Sequence, residues 1–204
     1  MAEAEQGFEE IYAQAGGRLE AIPWASLAPH PALVAWLDRA APATGGAALV
    51  VGCGLGDDAE ALSARGWRVI AFDVAPTAIA RCRQRFPDNA VDYLVADLFA
   101  LPEGWRERFA LVVENRTLQS LPVDQRTRAV RAIADTVALG GLLWVRCLGR
   151  EDDEPVGARP WPVSRRELAA FGDAGLTVMQ FDVERAMGAS RSMSFTAVYR
   201  RTTA

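Results

Sequence analysis

The stretch "LVVGCGLGDD", residues 49–58, sets Gly52, Gly54 and Gly56 at alternate positions after an apolar run and just ahead of two carboxylates, Asp57 and Asp58. Glycine lets the main chain turn left-handed and lets another group come close to it. An apolar run, a glycine turn and a helical stretch in that order read as strand, loop and helix. Such a loop lies at the carboxyl edge of a parallel sheet, where folds of this kind bind ligands. In the dinucleotide pattern GxGxxG the last glycine would fall at position 57, which here is Asp57. Carboxylates at that edge repel a pyrophosphate and suit a ligand with positive charge. A nicotinamide-dependent reductase is thereby disfavoured.

The other residues able to do chemistry fall at the ends of later apolar runs. Asp73 closes "WRVIAFD", about twenty residues past the glycines, where a carboxylate accepts bonds from both ribose hydroxyls of a nucleoside. Asp97 ends "VDYLVAD" and is followed by Leu98 and Phe99, a carboxylate and two apolar side chains suited to an adenine edge and face. Glu114, Asn115 and Arg116 end "FALVVEN" and open the next loop. Arg116 is the cation that could favour an ionised acceptor, and its plain alternative is a surface arginine paired with Glu114. The only histidine, His30, sits in "APHP". General bases are therefore few: His30 or a carboxylate such as Glu114.

The positioning elements follow from periodicity. From residue 47 onward β-rich runs alternate with amphipathic ones, as in a parallel sheet covered by helices. "DDAEALSARG" reads as a helix ended by Gly66, "PTAIARCRQRF" as one begun by Pro76, and "DQRTRAVRAIADTVALGG" as one running through Val137 to the glycines. Ser164 and Glu167 form a capping-box pattern ahead of another helix. "LTVMQFDVE" and "SMSFTAVYRR" then have no helix between them and should pair antiparallel. Residues 1–46 are expected to form a helical and aromatic cap on the same domain, with 47–204 as the ligand-binding body. Tyr12 and Trp24 in that cap, with Trp161 in the late proline-rich loop, are the candidate walls of a substrate pocket; core packing is their plain reading.

Composition narrows the partners. The chain has 204 residues, half of them hydrophobic, enough for one domain. Its 22 basic and 26 acidic residues give a net charge of -4, without the basic footprint of a nucleic-acid binder. No apolar run is as long as a membrane span and the first residues are acidic, so a soluble cytoplasmic protein, monomer or homodimer, without membrane association is expected. Cys53, Cys82 and Cys147 are far apart and show no zinc-type spacing, which predicts buried thiols and no metal site.

In this order and spacing, "VVGCGLGDDAEAL", "VIAFDVAPTAI", "VADLF", "VVENRTLQSLP" and "LGGLLWV" resemble the class I S-adenosylmethionine-dependent methyltransferases. The resemblance implies a Rossmann-like α/β fold, a seven-stranded sheet in the order 3-2-1-4-5-7-6 with strand 7 antiparallel and helices on both faces. It further implies that Gly52, Gly54 and Gly56 face the methionine part of S-adenosylmethionine, Asp73 the ribose, and Asp97 with Leu98 the adenine. Cys53, Asp57, Val74, Glu114 and Asn115 are counted with that cofactor set. Many relatives carry aspartate where this chain has Glu114. Within the class, "ENRTLQSLP", the aromatic cap and "ARPWPVSRREL" look like the thiopurine and small-thiol methyltransferase-like group. A small-molecule thiol is therefore the expected acceptor, with Arg116 and Glu114 as catalytic candidates and Tyr12, Trp24, Arg116 and Trp161 around the substrate. O- or N-methylation, and a catalytically silent S-adenosylmethionine-binding protein, are the alternatives.

Overall fold

The β-branched and apolar runs do become strands. A computed structural model describes residues 3–40, 45–88, 90–186 and 192–202, with side chains described from residue 7. Of the expected cap, residues 1–2 and 41–44 lie outside the described residues. The chain divides into two compact units, Met1–Asp97 and Leu98–Ala204.

In the first unit β1 (Ala47–Val51), β2 (Arg68–Asp73) and β3 (Asp92–Val95) lie in the order β3-β2-β1 and are parallel. Ala48, Leu49, Val50 and Val51 are all buried, the continuous apolar reading expected of a strand covered on both faces. Two helices make the crossovers: α3 (Asp57–Ser63), which ends before Gly66 at φ 83°, and α4 (Pro76–Arg85), with Pro76 in its first turn. Ahead of the sheet run α1 (Glu3–Gln14) and α2 (Pro31–Ala40). In α2, Leu33, Trp36 and Leu37 recur at i, i+3 and i+4 and are the residues buried.

The second unit holds β4 (Phe109–Asn115), β5 (Val137–Arg150), β6 (Val163–Ser164), β7 (Leu176–Arg185) and β8 (Met193–Arg201), with α5 (Val123–Thr136) and α6 (Arg165–Asp173). β4 and β5 are parallel, and β5, β8 and β7 follow antiparallel to one another. The late antiparallel hairpin is thus present. The two-residue β6 beside β5 adds an eighth strand to the expected seven.

The helix expected to run into "ALGG" stops earlier, at Thr136. Val137 adopts extended backbone, φ -73° and ψ 124°, and the strand begins there, turning at Gly140 with φ 76°. A side chain at Gly141 would stand 2.8 Å from the Ala138 carbonyl oxygen and 2.9 Å from that of Phe109. The two glycines belong to a kink in a strand rather than to a helix cap. The capping box at α6 forms as its spacing predicts, the Ser164 hydroxyl accepting from the Glu167 N–H while the Glu167 carboxylate accepts from the Ser164 N–H. At the far end of the strand order, β7 carries a bulge between Val178 and Gln180, with Val178 and Met179 about half exposed.

Candidate functional site

Three successive left-handed glycines make the turn after β1: Gly52, Gly54 and Gly56 have φ of 58°, 56° and 88°. Non-glycine residues reach this region only at a cost of about 1–2 kcal/mol each. The turn is braced from within. Cys53 N–H donates to the Phe72 carbonyl at 2.8 Å and Gly56 N–H to the Cys53 carbonyl at 3.0 Å. Gly54 N–H donates to Asp73 Oδ2 at 2.9 Å, while Ala75 N–H donates to Asp73 Oδ1 at 3.0 Å. Asp73 is buried, and desolvation lifts its carboxyl to about 6 against the lowering effect of the N–H groups of Ala75, Gly54 and Val74. Below Gly56 stands Tyr93, whose ring carbons Cζ and Cε1 would lie 3.0 and 3.1 Å from an added Cβ. Part of what must come close to this backbone is the protein itself.

The carboxylates after the turn have partners within the protein. Asp57 receives both ends of the Arg85 guanidinium, at 2.7 and 2.9 Å, and Asp58 accepts the His30 N–H at 2.7 Å. His30 in turn accepts the Ala32 N–H on Nδ1 at 3.2 Å and so holds the first turn of α2. Cys82 Sγ donates to the Gly54 carbonyl at 3.2 Å. Cys82 and Cys147 are buried as expected; Cys53 is half-buried, and its hydrogen bond with Cys82, together with burial, raises its thiol well above the ordinary value.

Residues ahead of the sheet reach this turn. Tyr12 is buried, its hydroxyl accepts from Trp24 Nε1 at 2.9 Å, and an added Cβ on Gly54 would stand 3.3 Å from that hydroxyl. Tyr12, Ala15, Ile22, Leu55, Ala75 and Ala78 form one apolar cluster. The Glu9 carboxylate accepts from the Thr77 N–H at 3.0 Å and from its hydroxyl. It supplies the cap that Ala75 cannot give α4. Tyr12 and Trp24, expected on the substrate, are therefore gathered at the glycine turn, and their plain packing role is also real.

In the second unit Glu114 is fully buried. Its Oε1 accepts from Thr117 N–H at 2.6 Å and Leu118 N–H at 3.0 Å, and Oε2 has no partner among the described residues. Burial raises this carboxyl to about 7. Arg116, two residues on, is exposed and holds φ 69°, its N–H donating to the Arg146 carbonyl at 2.7 Å. The two Glu114 bonds go to main chain rather than to the Arg116 side chain. Asn115, the last residue of β4, is half-buried.

Trp161 N–H donates to the Gln119 carbonyl at 2.7 Å, so the late loop is tied to the turn that follows Glu114. Arg126, almost fully buried, donates to the carbonyls of Trp161 and Pro162 and pairs with Glu167 at 2.6 Å. An open cavity of about 400 Å³ on this loop is lined by residues including Arg150, Glu154, Val156 and Pro162. Val74, half-buried, follows Asp73; Asp97 lies two residues past β3, and Leu98 is buried in the 3-10 turn that opens the second unit. Among the described residues no group of three or more His, Cys, Asp or Glu could hold a metal ion, and no helix is long and apolar enough to cross a membrane.

Sequence reasoning missed Glu9, Arg85, Tyr93 and Arg126. Each acts on a partner 28 to 68 positions away, and no local spacing announces such contacts. Only Arg85 left a trace: a basic residue in the last turn of α4 is ordinarily explained by the helix dipole.

Residues 48–141 match a protein-family model described as a methyltransferase domain. The ubiquinone biosynthesis O-methyltransferase of Pseudomonas paraeruginosa is 32% identical over 123 residues, which is 59% of this chain and 52% of that protein. The chain thus spans about half the length of the curated relatives it matches. Among solved structures, the N-methyltransferase NodS from Bradyrhizobium japonicum WM9, in complex with S-adenosylhomocysteine, superposes with a TM-score of 0.74 at 20% identity, covering 99% of this chain and 100% of that one. The [4+2]-cyclase SpnF superposes with a TM-score of 0.78 at 16% identity, covering 99% and 96%. These likenesses show the fold, the Rossmann-like one of methyltransferases.

Proposed function

We propose that this chain, which carries a methyltransferase domain over residues 48–141, binds S-adenosylmethionine and transfers its methyl group to an oxygen nucleophile of a small molecule. The observation that carries the cofactor reading is the glycine turn with Asp73 beside it. A carboxylate has about four lone-pair sites. The N–H groups of Gly54, Ala75 and Val74 take up three of them at Asp73, so capacity for a ribose hydroxyl remains. The cofactor residues proposed in the first unit are Gly52, Cys53, Gly54, Gly56, Asp73, Val74 and Asp97; those proposed in the second are Leu98, Glu114 and Asn115. Asp57 supports it through Arg85 rather than by touching ligand.

When bound, S-adenosylmethionine supplies a sulfonium methyl whose departure leaves a neutral thioether. The protein's task is then alignment, water exclusion and help with the acceptor's proton. His30 is occupied with α2, and Glu114 is sealed and pins the turn at Thr117 and Leu118. Arg116, held exposed by that turn, is the group that favours the anionic form of a hydroxyl acceptor, whose proton passes to solvent. A phenol, with a reference pKa of about 10, gains most from such a cation. Trp161 and the cavity beside it receive the acceptor's body.

Oxygen replaces sulfur as the first choice of acceptor because the matched curated relative is named an O-methyltransferase. A thiol stays as the second reading, since His30 and Glu114, the bases expected from the sequence, both accept main-chain N–H groups. The same fold in a cyclase makes a chemical test necessary. Labelled S-adenosylmethionine incubated with a panel of phenols, amines and thiols should methylate a phenol fastest. A thiol turning over fastest would restore sulfur. Cofactor binding with no methylated product would leave a silent binding protein.

A further inference from the structure

Three N–H groups of the glycine turn are engaged within the protein. Cys53 donates to Phe72, Gly54 to Asp73 and Gly56 to Cys53. The helix that follows begins with Asp57, Asp58 and Glu60, whose charges oppose an anion at that end. Yet the methionine part of S-adenosylmethionine ends in a carboxylate, which needs a donor.

We infer that the Tyr12 hydroxyl donates its proton to the carboxylate of the cofactor's methionine portion, with Trp24 setting the direction of that proton. The inference rests on the S-adenosylmethionine reading above and deepens it. Trp24 Nε1 donates to the Tyr12 oxygen at 2.9 Å, so one lone pair is taken and the O–H must point elsewhere. It is the hydroxyl's one hydrogen bond within the described protein. The oxygen stands over the bare Cα of Gly54, 3.3 Å from where a Cβ would be. The ring is 3% exposed and packed among Ala15, Ile22, Leu55, Ala75 and Ala78. Trp24 also meets it edge to face at 5.5 Å. Glu9 fastens the same helix to the start of α4 through Thr77. The donor is thus fixed before any ligand arrives, which lowers the cost of binding. Burial, followed by the charge of Asp73, keeps the hydroxyl protonated well above the ordinary tyrosine range.

The test uses calorimetry with two probes, S-adenosylhomocysteine and 5′-methylthioadenosine, which share adenosine and the thioether, the second lacking the amino-acid end with its ammonium and carboxylate. Tyr12→Phe should weaken S-adenosylhomocysteine about tenfold, as loss of a hydrogen bond to a charged group implies, and 5′-methylthioadenosine less than twofold. Trp24→Phe, which removes the orienting N–H but keeps a ring, should show the same selectivity at about threefold. Equal weakening of both probes by Tyr12→Phe would make Tyr12 a packing residue and overturn the inference. Unchanged binding of both would overturn it too. If the unaltered protein binds neither probe, the cofactor assignment itself falls, an outcome distinct from loss of the hydrogen bond alone.

Discussion

The glycine turn and the end of β4 are both strand ends that carry proposed site residues, and they are built by opposite means. At the turn, main-chain groups are matched by partners in the same unit: Phe72, Asp73 and Cys53 take its N–H groups, and Tyr12 and Tyr93 fill the space its missing side chains leave. At the end of β4, the buried Glu114 keeps one oxygen without a partner among the described residues, and Arg116 bears a long side chain on left-handed backbone. The first arrangement is relaxed and preformed. The second carries strain and a desolvated carboxyl, features that persist where a surrounding structure enforces them and a function uses them.

The sharpest way to break this contrast is Gly56→Ala. Left-handed strain adds to a forced displacement of Tyr93, so the loss of stability should be about 2–4 kcal/mol in urea unfolding. Gly104→Ala, where no atom lies within 4 Å of the new Cβ, is the control and should change stability by less than about 0.5 kcal/mol. Equal effects from the two substitutions would show that the turn is not preformed.

A smaller effect should come from Glu114→Gln, and it depends on pH. The folded carboxyl is raised to about 7 from 4.5, so between these values the unfolded chain gives up its proton and the folded one keeps it. The unfolded state binds fewer protons in that window, and stability must fall as pH rises through it. The cost is about 3 kcal/mol at pH 8 and close to zero below pH 4.5. Asp73, raised to about 6, adds a fall of the same sign that is complete earlier. Unfolding free energies at pH 5 and pH 8 should differ less in the variant than in the unaltered protein. Identical slopes would mean that Glu114 is not the buried acid described.

Smallest is Arg116→Gly. Relief of the left-handed backbone should stabilise the fold by about 0.5–1 kcal/mol, while methyl transfer to a phenol slows. A variant that is both more stable and fully active would remove Arg116 from the chemistry.

The same contrast accounts for what could be read in advance. Glycine positions, Pro76 at a helix start, the Ser164–Glu167 box and the antiparallel pair at the end are rules of local backbone geometry, and each appears where its spacing placed it. The boundary between α5 and β5 was misread because apolar residues at helical spacing continue through Val137, whereas pairing with Phe109 pulls that residue into a strand. The pairing of Asp57 with Arg85 could not be foreseen, because a carboxylate beside a ligand and one beside a distant arginine look alike in sequence. The burial of Glu114 and the left-handed backbone of Arg116 were not legible either, because no local pattern encodes them.

The bulge on β7 bears on how the protein keeps company with copies of itself. An outermost strand offers unmatched N–H and C=O groups on which another chain can lengthen the sheet. Here Val178 and Met179, both about half exposed, would favour that growth, but the register breaks between Val178 and Gln180. A bulge twists a strand and interrupts the even ladder that an added strand needs. Straightening it by deleting Met179 would restore the ladder beside an apolar side chain. Light scattering on concentrated samples should then show growing aggregates where the unaltered protein stays clear.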